Sequence, residues 1–539
     1  MSYSPLERRV LAHYFSEVDP APHADIYLVR NLPQETAATL NGIYSRSPHS
    51  MRDNFLQRLQ KGLEETGKKL SDLDIPEPGQ RDWLADVLAD KSGQFLKTYA
   101  IDHGHNSLRE GSWIHLAIEN VSQLVTRFVQ RERRCSFEES STRYISFSKE
   151  GHWRDPEVIA IGGEVAAAYE SVLGETFALY HELLESLPAY LRTVRPLREG
   201  EKPAAYERAL RAESFDAARY VLTPALLTKW GMVADARTLA DVVTELVSHP
   251  LAEFRIVGEK IKAQADTVVR TLLTHAKPNA FLQAQHVTLR DLTAQIGGRQ
   301  VANPEGRPSV RLLAWDPDLD TRLLASLLYE HSSLPFAQLQ ANVQALDASA
   351  RERIFTTALA ARGPRDALPL ALEGAQPFDF EILVDFGAYR DIGRHRKGLQ
   401  LQQLLTVEHG YAVPPLVRDA GLADRYCQVL DRASTLQRKV AAAHPLAAGY
   451  VTPFGFLQRA RLVFDPRQVG YFVELRSTPE GHFAYRQIAL EMLALVRQRA
   501  PLFARCIRAC EDPALLGRLH AEQTADERRA RRMHAAGDA

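Results

Sequence analysis

Cysteine is scarce in this chain. The four present among 539 residues, Cys135, Cys427, Cys506 and Cys510, form no CxxC and no Cys/His spacing, which argues against a disulfide framework or a structural zinc. Long apolar runs are missing too, since nothing approaches the ~18 residues that a membrane-spanning helix needs. The opening MSYSPLERRVLAHYF is charged where a secretory signal would place its apolar core, so a cytoplasmic, reducing location and no membrane partner are expected. Nor is there an excess of one charge. Lys+Arg number 66 against 67 Asp+Glu, so the chain has no bulk positive field with which to displace counterions from nucleic acid. Any basic site has to be local. His103 and His105 have no third ligand at useful spacing, and no metal is expected.

What remains, at 45% hydrophobic and 25% charged, is the composition of a soluble globular protein long enough for several domains. The chain repeats itself. IYLVRNLPQETAATLNGIYSRS (26–47) matches VRLLAWDPDLDTRLLASLLYEHS (310–332), each an apolar strand-like start, a turn with Pro and a helix-like stretch ending in Tyr and Ser. DARTLADVVTELVSHPLAEFR (235–255) pairs likewise with DPRQVGYFVELRSTPEGHFAYR (465–486). The organisation read from this is a domain over 1–292 with an N-terminal extension, a linker at 293–309 rich in Gly, Pro and Asn, a second domain over 310–525, and a solvated charged tail at 526–539.

Within each copy an apolar element leads into arginines. WIHLAI (113–118) reads as a strand, and Val121, Leu124, Val125, Phe128 and Val129 then recur at helical spacing ahead of Arg131 and Arg133. In the second copy Phe378, Phe380, Ile382, Val384 and Phe386 alternate as a half-buried strand ahead of RDIGRHRKG (390–398). Leu239, Val242, Val243, Leu246 and Val247 form one core-facing helical stripe, and Ile488, Met492, Leu495 and Val496 another. The fold class expected is α/β (α+β), two tandem domains with a mixed sheet and packed helices.

The stretch RERRCSFEESSTRY (131–144) holds four arginines, two adjacent glutamates, four hydroxyl side chains and a tyrosine. Such a run has two readings. It is a solvated ion-pair face complementing a helix end, or an anion site in which planar guanidinium forks and hydroxyls meet phosphate. Its pattern resembles the signature of the flavin-dependent thymidylate synthases, the ThyX family, roughly RHRxxSxNExSxRY, with Arg131, Arg133, Ser136, Glu139, Ser141, Arg143 and Tyr144 in register. Upstream, GHNSLREGSWIHLAIENVSQLVTRFVQ (104–130) is similar to the family's GHxSxxEHxxFTFxI lead-in, with Glu110 at its Glu. Downstream, AARYVLTPALLTKWGMVADARTLADVV (217–243) resembles ARxxLPxxxxTxxxxxxNARxL and places Arg219 and Arg237 on family arginines. The second copy is fainter, keeping Arg394, His395, Arg396 and the ELRS of 474–477.

The resemblance implies FAD and dUMP as ligands, with methylenetetrahydrofolate and NADPH as co-substrates, and C5 methylation of a uridine nucleotide. It assigns Arg131, Glu139, Ser141, Arg143 and Arg219 to the nucleotide, and Arg131, Arg133, Arg237, Asp241, Arg394, His395 and Arg396 to the flavin. Family members are homotetramers, so a homodimer of tandem chains would imitate one. No protein nucleophile is required, which leaves Cys135 outside the chemistry. The departures are specific: Glu132 replaces the central His, Glu138 the motif Asn, Gly111 the His after Glu110, Asp235 the Asn of NAR, and Leu246 the arginine that polarises the uracil ring. Arg476 stands at the matching point of the second copy and is the catalytic candidate. A composite site is therefore expected, with Ser141, Arg143 and Arg219 on the nucleotide, Arg476 at the uracil and His395 at the flavin. The alternatives are a retired nucleotide- or flavin-binding protein, a related enzyme on another pyrimidine nucleotide, and a single-strand nucleic-acid binder, the last disfavoured by the balanced charge.

Overall fold

The structure is a computed structural model that describes residues 3–32, 40, 43–44, 47–65, 67–72, 97–102, 106–143, 145–147, 151–297, 307–512 and 516–537. Tyr144, His103 and His105 lie outside the described residues. The chain divides into two compact units, one built from 1–174, 223–301 and 439–451, the other from 175–222, 302–438 and 452–539. Each unit thus takes in a segment of the other repeat copy, 175–222 in one case and 439–451 in the other.

The first unit holds a sheet of four strands in the order β1-β2-β4-β3, with β1 at Asp25–Val29, β2 at Trp113–Ser122, β3 at Ser136–Glu139 and β4 at Leu227–Asp235. The second holds β5 at Ser309–Ala314, β6 at Phe378–Asp385, β7 at Leu399–Gln402 and β8 at Leu457–Phe464, in the order β5-β6-β8-β7. The repeat read from sequence is therefore a repeat of sheets. Each pairing among these strands is antiparallel, which corrects the expected mixed sheet.

One local device recurs. The long second strand of each sheet ends on a capping side chain that starts a short helix, and the helix ends at the arginines. Ser122 closes β2 and its Oγ accepts from Val125 N of helix Gln123–Val129. Asp385 closes β6, and its carboxylate accepts from Ala388 N, at 2.6 Å, of helix Phe386–Ile392. The chain cannot stay extended past a residue whose side chain satisfies the free N–H groups of a first helical turn, so the arginines land in a turn at a fixed distance from the sheet.

Two expectations at the edges are revised. Helix Ala280–Ile296 continues into the segment read as linker. The expected tail is helical over Leu519–Gly537, where Glu522 and Asp526 accept from Arg208 at 2.8 and 2.7 Å. Among the described residues no helix is long and apolar enough to cross a membrane, and no group of three His, Cys, Asp or Glu side chains could hold a metal.

The first unit also buries charge. Asp25 on β1, Glu119 on β2 and Lys229 on β4 are register partners across three strands. Helix Met51–Glu65 brings Arg52 to them, fully buried, donating to the Asp25 carboxylate and, at 3.1 Å, to Glu17 O. Tyr27 and Tyr44 donate to Glu119 Oε1 at 2.9 and 2.8 Å, and burial pushes the Lys229 pKa down to about 8. Removing one partner leaves the others as uncompensated charge in the interior. Arg52→Ala should therefore cost about 3–5 kcal/mol in urea denaturation, whereas a loss under about 1 kcal/mol would mean water enters the cluster freely.

Candidate functional site

In the first unit the arginine turn meets a ladder of charge. Helix Ala236–Val247 follows β4, capped by Asp235, whose carboxylate accepts from Thr238 N and Thr238 Oγ1. Arg237, Asp241 and Glu245 recur on it at four-residue spacing and so share one face. Each takes a partner of opposite charge. Arg237 pairs with Glu110 at 2.6 Å, Asp241 with Arg134 at 2.9 Å, and Glu245 with Arg131 at 2.7 Å. Arg134 also bonds Glu132 at 3.1 Å, and the Asp241 hydrogen bond raises its pKa further. Arg131 lies 3.9 Å over the Phe128 ring, and Arg133 is exposed in the same turn.

The remaining first-copy candidates are also engaged. Glu139, at the end of β3, is buried and accepts from Arg127 and, at 3.0 Å, from Gln123 Nε2. Its carboxylate thus ties β3 to the short helix. Ser141 Oγ accepts from Arg143 N at 3.2 Å, and the Arg143 side chain is half-buried. Leu246 is fully buried, and a Cβ added at Gly258 would come within 2.7 Å of Leu246 Cβ. The position expected to carry the ring-polarising arginine is here a tight contact between two helices, with no room for a guanidinium.

The second unit gathers what the first lacks. Helix Phe386–Ile392 runs into Arg394, His395 and Arg396, with Arg394 exposed, Arg396 half-buried and His395 buried. Arg476, at the end of helix Pro466–Arg476, donates from Nε to His395 Nε2 at 2.8 Å and from Nη2 to Asp391 O at 2.7 Å. Arg219, from the first repeat copy but belonging to this unit, is 2% exposed and donates to Asp391 Oδ2 at 3.2 Å, with Asp216 at 3.9 Å. Arg394 stands 3.8 Å from the same Asp391. Arg219, Arg394, His395 and Arg476 are thus joined through one aspartate. Ser141 and Arg143 belong to the first unit, so the expected five-residue composite is divided between the units.

His395 is uncharged in this setting. Burial, with the Arg476 cation next in weight, pushes its pKa down to about 3. Because Nε2 accepts from Arg476, the neutral ring carries its proton on Nδ1, and Gln468, 3.2 Å away, serves as partner when its amide oxygen faces the ring. Asp391, Gln468 and Asp216 were not singled out from sequence, where each is a lone residue outside any motif.

Two antiparallel sheets, each with a capped helix opening onto an arginine turn, define a tandem protein with one turn well ringed by carboxylates and another gathered about a single aspartate. The family model for the thymidylate synthase complementing proteins (Thy1) matches residues 61–269 and again 328–502. The chain belongs to that family, the flavin-dependent thymidylate synthases whose motifs it resembles. Similar proteins include UPF0159 proteins of Chlamydia muridarum, 28% identical over 96% of this chain and 98% of that protein, and of Chlamydia pneumoniae, 28% identical over 96% and 97%. A UPF0159 protein of Thermoplasma acidophilum is 25% identical over 80% of this chain and 92% of its own length.

A histidine whose folded pKa lies below its ordinary value binds its proton in the unfolded chain first. Its contribution to stability is complete above about pH 6.5 and is lost as pH falls from there toward 3. His395→Gln should flatten part of that acid slope in melting curves taken from pH 7 to 4. An unchanged slope would mean the ring is open to protonation in the fold.

Proposed function

We propose that the chain methylates a uridine nucleotide at C5, most simply dUMP to dTMP, with FAD as cofactor and methylenetetrahydrofolate and NADPH as co-substrates, and that the second unit carries the reactive site. The observation that carries this reading is the gathering of Arg219, His395, Arg394 and Arg476 about Asp391 within a chain matched by the family over both copies.

The donor set suits an anionic cofactor. Around this turn Arg219, Arg394 and Arg476 face Asp391 and Asp216, with His395 neutral, so cations exceed carboxylates. At the first-copy turn Arg131, Arg134 and Arg237 are matched by Glu245, Asp241, Glu132 and Glu110, so an added pyrophosphate would have to displace a carboxylate. Arg394 and Arg396 are the forks that would hold phosphate. When bound, FAD supplies the hydride that completes the new methyl group. His395, neutral and with both ring nitrogens engaged, would orient Arg476 beside the flavin without adding charge. Arg476 stands on the His395 side as the cation toward which negative charge on a pyrimidine ring would be drawn, and Arg219 holds Asp391 in place. A nucleotide rather than a nucleic acid is the substrate, and a homodimer is the assembly this reading favours.

A second reading has its own support. Arg476 and His395 are bonded to one another, and the first-copy arginines are paired, which suits a protein that keeps nucleotide or flavin binding and has retired the chemistry. Tritium release from C5-labelled dUMP, together with the flavin absorbance of protein purified without added cofactor, separates the two. The enzyme reading predicts a yellow protein in which Arg476→Ala lowers kcat by roughly 10²–10³-fold while changing KM less. Binding of FAD and dUMP without tritium release would establish the retired reading. A colourless protein that leaves FAD fluorescence unchanged would remove the flavin from both.

A further inference from the structure

Each unit takes in a segment of the other repeat copy. Residues 175–222 of the first copy belong to the second unit, and residues 439–451 of the second copy belong to the first. Near its end each segment carries a buried tyrosine, Tyr220 in one and Tyr450 in the other, in the matching sequences RYVLTPA and GYVTPFG. The backbone follows the same rule twice. Ala225 N donates to Tyr450 O at 3.1 Å in the first unit, and Gly455 N donates to Tyr220 O at 2.8 Å in the second. Each donor lies five residues beyond its own copy's tyrosine.

From this reciprocity we infer that Tyr220 and Tyr450 are positioning residues, each contributed by one repeat copy to hold the capped helix that carries the other copy's arginine turn. In the first unit the Tyr450 hydroxyl donates to Glu253 Oε2 at 2.8 Å. Glu253 is fully buried and also accepts from Ser122 N at 2.7 Å and Ser122 Oγ at 2.6 Å. Ser122 is the residue that starts helix Gln123–Val129, so the tyrosine acts on the arginine turn through one carboxylate and one cap. In the second unit Tyr220 stands beside Asp385, which starts helix Phe386–Ile392. A Cβ at Gly387, in the first turn of that helix, would meet Asp385 Oδ1 at 3.2 Å and the Tyr220 ring at 3.5 Å, so the helix is seated directly on the tyrosine. The back of the Tyr220 ring stacks on His482 and Phe483, with centroids 5.6 and 5.7 Å away. Burial pushes Glu253 up to about 7 and Asp385 up to about 6, as expected for carboxylates sealed against water under a ring.

The exchange is also unequal at the residue before each tyrosine. Arg219 precedes Tyr220, whereas Gly449 precedes Tyr450. At that position the second unit receives a cation beside its tyrosine, and the first receives a glycine. This consequence rests on the proposed role of the arginine turns, while the positioning role itself does not.

Hydrogen–deuterium exchange on the full-length protein tests the inference. Tyr220→Leu, which removes the ring on which Gly387 sits, should speed exchange in 386–396 about fivefold and leave 123–134 unchanged. Tyr450→Phe should do the reverse. Glu253→Gln, which keeps an acceptor for Tyr450 and Ser122, should spare 123–134, and Glu253→Leu should reproduce Tyr450→Phe. Equal acceleration of both helices by either tyrosine variant, or no change in either, would overturn the assignment. Titration with dUMP is read separately. Crossed exchange effects with no dUMP binding in any protein would sink the proposed function and leave the positioning role standing.

Discussion

A guanidinium does not give up its proton inside a protein, so an arginine taken out of water must find acceptors or stay where an anion can reach it. That constraint shapes both units. Arg52 is sealed in the first unit only because Asp25 and a backbone carbonyl receive it, and because the tyrosines satisfy the second carboxylate, Glu119. Arg127 is taken in by Glu139 and Arg219 by Asp391. Where a carboxylate sits decides whether the arginine beside it builds structure or remains available to a ligand.

The same strand, cap, helix and turn therefore yields two different electrostatic outcomes. In the first copy, Glu132 at the motif's histidine position and Asp241 and Glu245 on the adjoining helix neutralise the turn. In the second, the position equivalent to Glu132 is His395, which burial keeps uncharged, so no carboxylate is added there. The difference between a zipped ion-pair face and a turn with cations to spare comes down to a few acidic side chains, not to a different backbone.

How far the sequence alone revealed this depends on range. The repeat, the strand at 113–118, the helix leading to Arg131 and the stripe of Leu239 to Val247 were legible, because period is a local property; the boundaries were not, since Val121 lies in β2 and Phe386 opens the helix after β6, which is buried on both faces and not half-buried. The three arginine-bearing segments were legible as a family pattern. The ion pairs were not, since Glu245 and Arg131 are separated by more than a hundred residues and no local rule links them. Asp391 was passed over although it lies beside RHR, because a single aspartate in a charged run carries no spacing signal. The segment exchange was hidden for a related reason: the divided units leave each copy's own pattern intact.

That exchange also sets which arginines meet in the second unit. The first copy keeps Arg219 yet has Leu246 packed where an arginine would be needed; the second keeps Arg476 and the RHR turn yet has Gly449 at the Arg219 position. Because the segment bearing Arg219 is built into the second unit, that unit holds both arginines on one aspartate, Arg219 through Asp391 Oδ2 and Arg476 through the Asp391 carbonyl. Substituting Asp391 would take the carboxylate from Arg219 and leave the backbone carbonyl that holds Arg476 in place, so the two arginines share a residue but not an acceptor. The arrangement about Asp391 thus draws on both copies: Leu246 is answered by Arg476 and Gly449 by Arg219, whereas the motif's Asn is Asp in both, Asp235 and Asp465.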